Sequence, residues 1–415
     1  ETQLSSIEHR GPDDKGSYVS EGISLGMCRL AIVEIAVGKQ PASDHSEKIH
    51  LVWNGEIYNY QELKKLFDTI EPGAGHQLDL FLAEAAYKYE VGINKLVHKP
   101  SQSVTEFIDW DLIKGIFKLD VFTSIKKHVA KHFKNPKLRE LMEFPVLFLG
   151  ALPEHTPALY SLMNYADIKG GTWYPETGMY NIVEGMYDLA VSLGVQFKFG
   201  HEVTSIEVEN KIATRVCTSK GNFEADVIIG GADYHHIETA LLPAAAQSYS
   251  AAYWDSRVMA PSCLIYYIGL NKKLTDVQHH TLFFDTSFEV HGAEIYTTKT
   301  WPTDPLFYMS VVSVTDATSA PEGHENIFLL IPVAPDLADN EEVREKYFGQ
   351  LMDRLEEYCG VSIRDSIVYK RSYAHKDFKN DYHAFKGNAY GLANTLLQTA
   401  ILKPSLKNKK LKNFY

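Results

Sequence analysis

The sequence predicts an α/β (α+β) fold: a helical subdomain, an α/β layer of the nucleotide-binding kind and a mixed sheet, behind a short α+β front segment. Three observations carry this expectation. Apolar residues recur every four positions at Val121, Ile125, Val129 and Phe133, one face of a helix. A second stripe, Met179, Ile182, Val183, Met186, Ala190 and Leu193, runs into a group of strand-like segments and then into Gly230-Gly231-Ala232-Asp233. Further on, strand-like runs alternate with one amphipathic helix near 341–358.

Taken in order, residues 1–65 hold Gly/Asp turns and short apolar runs, with strands expected at 30–35 and 49–53. Residues 66–170 form the helical subdomain, in which Asn135-Pro136 restarts a helix as cap and first-turn proline and sends Leu138, Leu141 and Met142 inward. Residues 171–245 form the α/β layer. There Thr177 is expected to cap a helix ending at Gly194. Strands follow at 195–199, 203–208, 212–218 and 223–229, with Glu209-Asn210 as a turn. Residues 246–375 carry strands at 263–268, 307–314 and 327–333 and the helix with Val343, Phe348, Leu351, Met352 and Leu355 inward. Residues 376–415 close the chain.

Composition narrows the function. A formal charge of −12 argues against a general nucleic-acid binder, because neutralising phosphate needs a basic surface. The basic cluster Lys403, Lys407, Lys409, Lys410 and Lys412 is a solvated face or a contact for anionic headgroups. Four scattered cysteines suit free thiols in a reducing compartment, and no Cys/His spacing suits zinc. No apolar run is long enough to span a bilayer, so a cytoplasmic protein, at most peripheral at the inner membrane face, is expected. Glu1-Thr2-Gln3 shows neither an initiator Met nor a signal pattern, so sequence upstream is expected.

The front segment carries His9-Arg10-Gly11-Pro12-Asp13-Asp14, Arg29-Leu30-Ala31-Ile32 and Asn54-Gly55-Glu56-Ile57-Tyr58-Asn59. A glutamine site needs a cation for the α-carboxylate, an oxyanion donor and a carboxylate for the α-ammonium. Arg29, Asn54 and Glu56 are of those types. The stretch resembles the glutaminase domain of glutamine-hydrolysing asparagine synthetase. The resemblance implies that Arg29 and Glu56 bind glutamine and that Asn54 donates to the oxyanion. The family's nucleophile is an N-terminal cysteine with a free amine, whereas Glu1 stands first here and Cys28 lies inside a strand-like run. A glutamine amidotransferase is therefore the second expectation for function.

From about Leu66 the sequence is similar to bacterial phytoene desaturases. The resemblance rests on Ile70-Glu71-Pro72-Gly73-Ala74-Gly75, Phe144-Pro145 to Tyr165, Gly171-Thr172-Trp173-Tyr174-Pro175, Ala225 to Asp233, Pro261-Ser262-Cys263 to Gly269, and Lys386-Gly387-Asn388-Ala389-Tyr390-Gly391. It implies an FAD enzyme with a Rossmann-like cofactor domain that introduces double bonds into a long apolar isoprenoid. The chemistry agrees: no side chain accepts a hydride, so dehydrogenating a C–C bond needs a cofactor, and a hydrocarbon needs an apolar channel. Phe144, Phe148, Tyr160, Tyr165, Trp173 and Tyr174 are channel candidates.

A dinucleotide fingerprint GxGxxG between strand and helix is absent: Gly73-Ala74-Gly75 has Leu78 in place of the third glycine, and Gly230-Gly231 lacks the spacing. By resemblance the cofactor would meet Gly178, the Val203 backbone, Ala232, Tyr390 and Gly391, with Thr177 standing in for a family glycine. Glu154, His155 and Asp233 are the acid/base candidates, because they sit on loops or at helix starts. Losing two or three pyrophosphate hydrogen bonds at roughly 1.5–3 kcal/mol each predicts FAD affinity lower by about two to six orders of magnitude. An incomplete FAD-binding domain, and an inactive fusion as a third alternative, follow from that loss.

Overall fold

The computed structural model describes residues 14–20, 23–29, 42–43, 50–51, 60–99, 119–175, 177–395, 398 and 402–415. The chain divides into two units, Glu1–Leu63 and Lys64–Tyr415. In the first, β1 (Asp14–Ser20) pairs antiparallel with β2 (Ile23–Arg29), setting Asp14 opposite Arg29. Two short strands, β3 (Ala42–Ser43) and β4 (His50–Leu51), form a second pair. The strand expected at 30–35 lies outside the described residues, and of 49–53 only His50–Leu51, β4, is described.

The second unit opens with helices. Phe81 and Leu78, from the helix Ala74–Val91, pack with Ile125, Val129 and Phe133, all fully buried. The four-residue stripe thus does face a core, although the helix itself runs only from Ile125 to His132, capped by Ser124. Asn135 caps Pro136–Glu143 by accepting from the Lys137 N–H, as its sequence predicts. Leu138 and Met142 point inward, whereas Leu141 is exposed, so the buried face of this short helix is narrower than the i, i+3, i+4 spacing alone predicts.

The next layer departs further from expectation. The helix Tyr180–Ser192 buries none of its residues, and Met179 rather than Thr177 precedes its first turn. Residues 195–199 form no strand; Phe197 instead lies against Tyr187 at 4.6 Å and stacks on Phe199. A strand needs a ladder partner for its N–H and C=O groups, and no described strand pairs with this run. Behind it, β5 (Val203–Glu209), β6 (Ile212–Thr218) and β7 (Gly221–Glu224) make an antiparallel meander. Asn210 and Lys211 both take positive φ, which suits the two-residue hairpin turn between β5 and β6. Residue Ile228 then bridges in parallel to Phe414, so the last residues of the chain serve as the neighbour of this layer.

The largest core belongs to a five-stranded sheet ordered β12-β8-β11-β10-β9. Its strands are β8 (Ser262–Leu270), β9 (His280–Phe283), β10 (Phe307–Ser310), β11 (Glu325–Val333) and β12 (Ile367–Tyr373). All pairings are antiparallel, so the mixture here is of helix with sheet rather than of strand direction. Along β11, buried and half-buried residues alternate strictly, the period of two that one covered face requires. The helix Glu341–Cys359 covers that face with Tyr347, Leu351, Met352 and Leu355. Asn340 caps it and Gly360 at φ +65 ends it.

Candidate functional site

A cavity of about 350 Å³ opens where β5 begins and the Ile228–Ala232 run ends, lined by Glu202, Val203, Gly230, Gly231, Ala232, His236 and His383 among others. Gly230, Gly231 and Ala232 are exposed, and no atom lies within 4 Å of where a Cβ on Gly231 would stand. This bare backbone strip lets a ligand approach the chain closely, the role glycine plays at dinucleotide sites. Gly230 instead serves packing, since a Cβ there would meet Ile237 at 2.7 Å. The His236 and His383 rings stack at 3.9 Å and 6° and form a flat platform in the lining. Burial, then His383, lowers His236 and so favours its neutral ring. The volume is near the lower end of ligand sites, roughly 300–1,000 Å³.

The structure thus brings Val203 and Ala232 together. Asp233 follows directly, but both its oxygens are engaged. Oδ1 accepts from the His236 N–H at 3.0 Å as a helix cap, and Oδ2 accepts from the Phe385 N–H at 3.3 Å. It is a clasp joining the cavity to the 383–391 segment. Tyr390 and Gly391 lie along that segment, outside the cavity lining, against the start of β8. The Gly391 carbonyl accepts from the Ala260 N–H at 2.9 Å, and the Tyr390 hydroxyl is 4.0 Å from Cys263 Sγ. Burial raises Cys263 to about 12, so this thiol is not a nucleophile at neutral pH.

Gly178 has φ +120, which glycine alone adopts readily, while Thr177 before it is held at φ +64. A β-branched residue is strained there. The Thr177 hydroxyl accepts from Asn181 and so offsets part of that cost. Thr177→Gly is expected to raise stability by about 1 kcal/mol, read from the urea midpoint; a decrease of that size would mean the Asn181 bond outweighs the strain.

Glu154 and His155 are exposed on a turn, away from the cavity lining. Glu154 lies 3.7 Å from Lys126 Nζ, which also bonds Glu289 at 3.1 Å. Their neighbour Glu143 carries no motif that marks it in the sequence. Only 6% exposed, Glu143 is pushed up to about 7 by burial, against the pull of Lys126 and aided by the charge on Glu154. A carboxyl balanced near neutrality suits proton transfer, and the feature that could have exposed it is an acid one position after buried Met142.

The channel candidates pair in separate places: Phe144 with Phe284, Tyr165 with Tyr89, and Tyr174 with His279. Trp173 is exposed, and the Phe148 side chain is outside the description. Arg29 ends β2, while Asn54 and Glu56 lie outside the described residues.

With that geometry in hand, residues 118–415 match the flavin containing amine oxidoreductase family, and residues 1–76 match the glutamine amidotransferase domain. Three curated relatives match most of the chain. A carotenoid 3,4-desaturase of Haloarcula japonica is 35% identical over 85% of this chain and 72% of its own length. A 4,4'-diapolycopen-4-al dehydrogenase of Metabacillus indicus is 27% identical over 89% and 74%. A zeta-carotene-forming phytoene desaturase of Myxococcus xanthus is 26% identical over 90% and 73%.

Proposed function

The chain belongs to the flavin-containing amine oxidoreductases, and from that premise we propose that it dehydrogenates a long isoprenoid polyene with FAD as acceptor. Bound flavin supplies the hydride acceptor that no side chain provides. The observation that carries the proposal is the exposed Gly230–Ala232 strip beside Val203, a close-approach surface for the cofactor. The His236–His383 platform gives a cofactor ring a flat face to lie on, and Asp233 fixes the 383–391 segment beside it. Tyr390 and Gly391, farther along that segment, are assigned to the flavin-ring side of the cofactor. The proton that leaves carbon is assigned to the carboxyl cluster of Glu143 and Glu154, with His155 exposed next to it.

No helix among the described residues is long and apolar enough to cross a membrane. In our reading the apolar substrate is taken from a bilayer surface. Lys403, Lys407, Lys409, Lys410 and Lys412 would meet anionic headgroups, worth roughly 1 kcal/mol each, while exposed Leu402 and Leu406 touch the acyl boundary. We assign the protein to the cytoplasmic face on the same grounds.

The test supplies the chain with FAD and a colourless C40 polyene in anionic vesicles. The expected result is visible absorption from a lengthened conjugated system, dependent on FAD and weaker in neutral vesicles. Unchanged absorption with FAD-loaded protein would overturn the proposal.

A further inference from the structure

Away from the cavity, the helices Ala74–Val91 and Ile125–His132 place Glu84, His128 and His132 so that one ligand atom from each lies within 4.8 Å of the others. We propose that these three side chains form a binding site for a divalent transition ion of the Zn²⁺ class, clasping the two helices together. His128 and His132 are four apart and so share a helical face, and Glu84 meets both from the opposing helix. Glu84 Oε2 is 3.7 Å from His128 Nε2, and Oε1 is 3.9 Å from His132 Nε2. Neighbouring donors around a four-coordinate zinc stand about 3.4 Å apart, so the two carboxylate–imidazole pairs close by a few tenths of an ångström and the whole set, within 4.8 Å, draws together by roughly 1 Å.

The surroundings suit an ion. Phe81 lies against both imidazoles, at 5.2 and 5.4 Å, giving the site an apolar wall. Asp120 Oδ2 is 3.7 Å from His128 Nδ1, on the far side of the ring from Glu84, where a carboxylate orients a ligating histidine. At 3.7 Å Asp120 is not yet hydrogen-bonded to His128 Nδ1, which like His132 Nδ1 is buried without a hydrogen-bond partner, so a small closure of that gap would fix the His128 ring with Nε2 toward Glu84. Glu84 is half exposed, leaving an entry path and room for a water as fourth ligand.

One group opposes the ion. Lys88 Nζ, fully buried, sits 3.3 Å from His128 Nε2 and 2.9 Å from Asp120 Oδ2. An arriving cation displaces Lys88 from the ring, and Asp120 retains it. This predicts that Lys88→Met, which removes the competing charge at similar volume, tightens binding.

The experiment is calorimetric titration of the tag-free full chain with Zn²⁺, with Co²⁺ absorption as a coordination readout. One ion per chain is expected, with four-coordinate d–d bands and a metal-dependent rise in melting temperature. His132→Gln and Glu84→Gln should each abolish the bands, and Lys88→Met should lower the Kd. Glu84 is half exposed, so its variant keeps the test decisive if His132→Gln does not fold. Absence of binding by the wild-type chain, bands that survive both variants, or weaker binding by Lys88→Met would each overturn the proposal.

Discussion

Arg344→Ala is expected to lower the unfolding free energy of the Lys64–Tyr415 unit by about 3–5 kcal/mol. Arg344, 9% exposed, donates from Nε and Nη2 to the two oxygens of Asp339 at 2.7 and 2.6 Å. Nη2 also reaches Asp377 at 2.7 Å, and Nη1 reaches Ser372 at 3.2 Å. The guanidinium thereby joins the helix Glu341–Cys359 to β12 and to the helix His375–Tyr382. Its removal leaves the buried Asp339 carboxylate facing only the Lys376 N–H. Arg344→Lys should recover little, because an ammonium cannot donate in parallel to both oxygens. Burial alone would raise Asp339, but its bonds from Arg344 and Lys376 hold it below the usual carboxylate range. A depressed carboxyl contributes stability above its unfolded pKa, about 3.9, and loses it as pH falls through the lower folded value. The wild-type chain should therefore weaken in acid below about pH 4, and Arg344→Ala should lose most of that dependence. Urea melts followed by circular dichroism read both effects; a cost under about 1 kcal/mol would remove the clasp from the account.

Glu143→Gln should have the opposite sign. Glu143 is raised from its ordinary 4.5 to about 7 by burial. The folded chain therefore holds a proton across that window that the unfolded chain releases, and wild-type stability falls as pH rises from 4.5 to 7. Glutamine keeps the shape and never ionises. The variant should match wild type near pH 4.5 and exceed it at pH 8 by up to about 3 kcal/mol. If Glu143 accepts the substrate proton, kcat should fall in the same variant and lose its rise through neutral pH, which a purely structural carboxyl would not cause. Parallel stability curves for the two proteins across pH would contradict the buried, proton-holding carboxyl.

What was legible in the sequence was local. The Asn135-Pro136 cap, the β5–β6 hairpin and the helix Glu341–Cys359 were readable because capping, turn chemistry and periodicity are set by neighbours along the chain. Residues 195–199 look like a strand, but strand formation depends on a partner, and periodicity carries no information about pairing. The same limit applied to sites. Val203 and Ala232 were singled out through the family resemblance alone, and both line one cavity. Asp233 carried the right residue type, but its bond to the Phe385 N–H depends on a segment far along the chain. The sequence offered no zinc spacing of the CxxC kind; His128 and His132 stand four apart on one helix, but Glu84 comes from another, so the triad appears only on folding. Glu143 was hidden for a related reason: burial, not residue type, moves its pKa.

If the Gly230–Ala232 strip receives flavin dinucleotide, FAD titration will separate the wild-type chain from Gly231→Val. A valine Cβ at Gly231 enters open space, so the fold should stand while the approach of a ligand is blocked. Saturable quenching of FAD fluorescence by the wild-type chain is expected, with a Kd at least about tenfold higher for the variant, roughly 1.4 kcal/mol, and unchanged far-UV circular dichroism. Equal FAD affinity in the two proteins, or none in the wild-type chain, would contradict it.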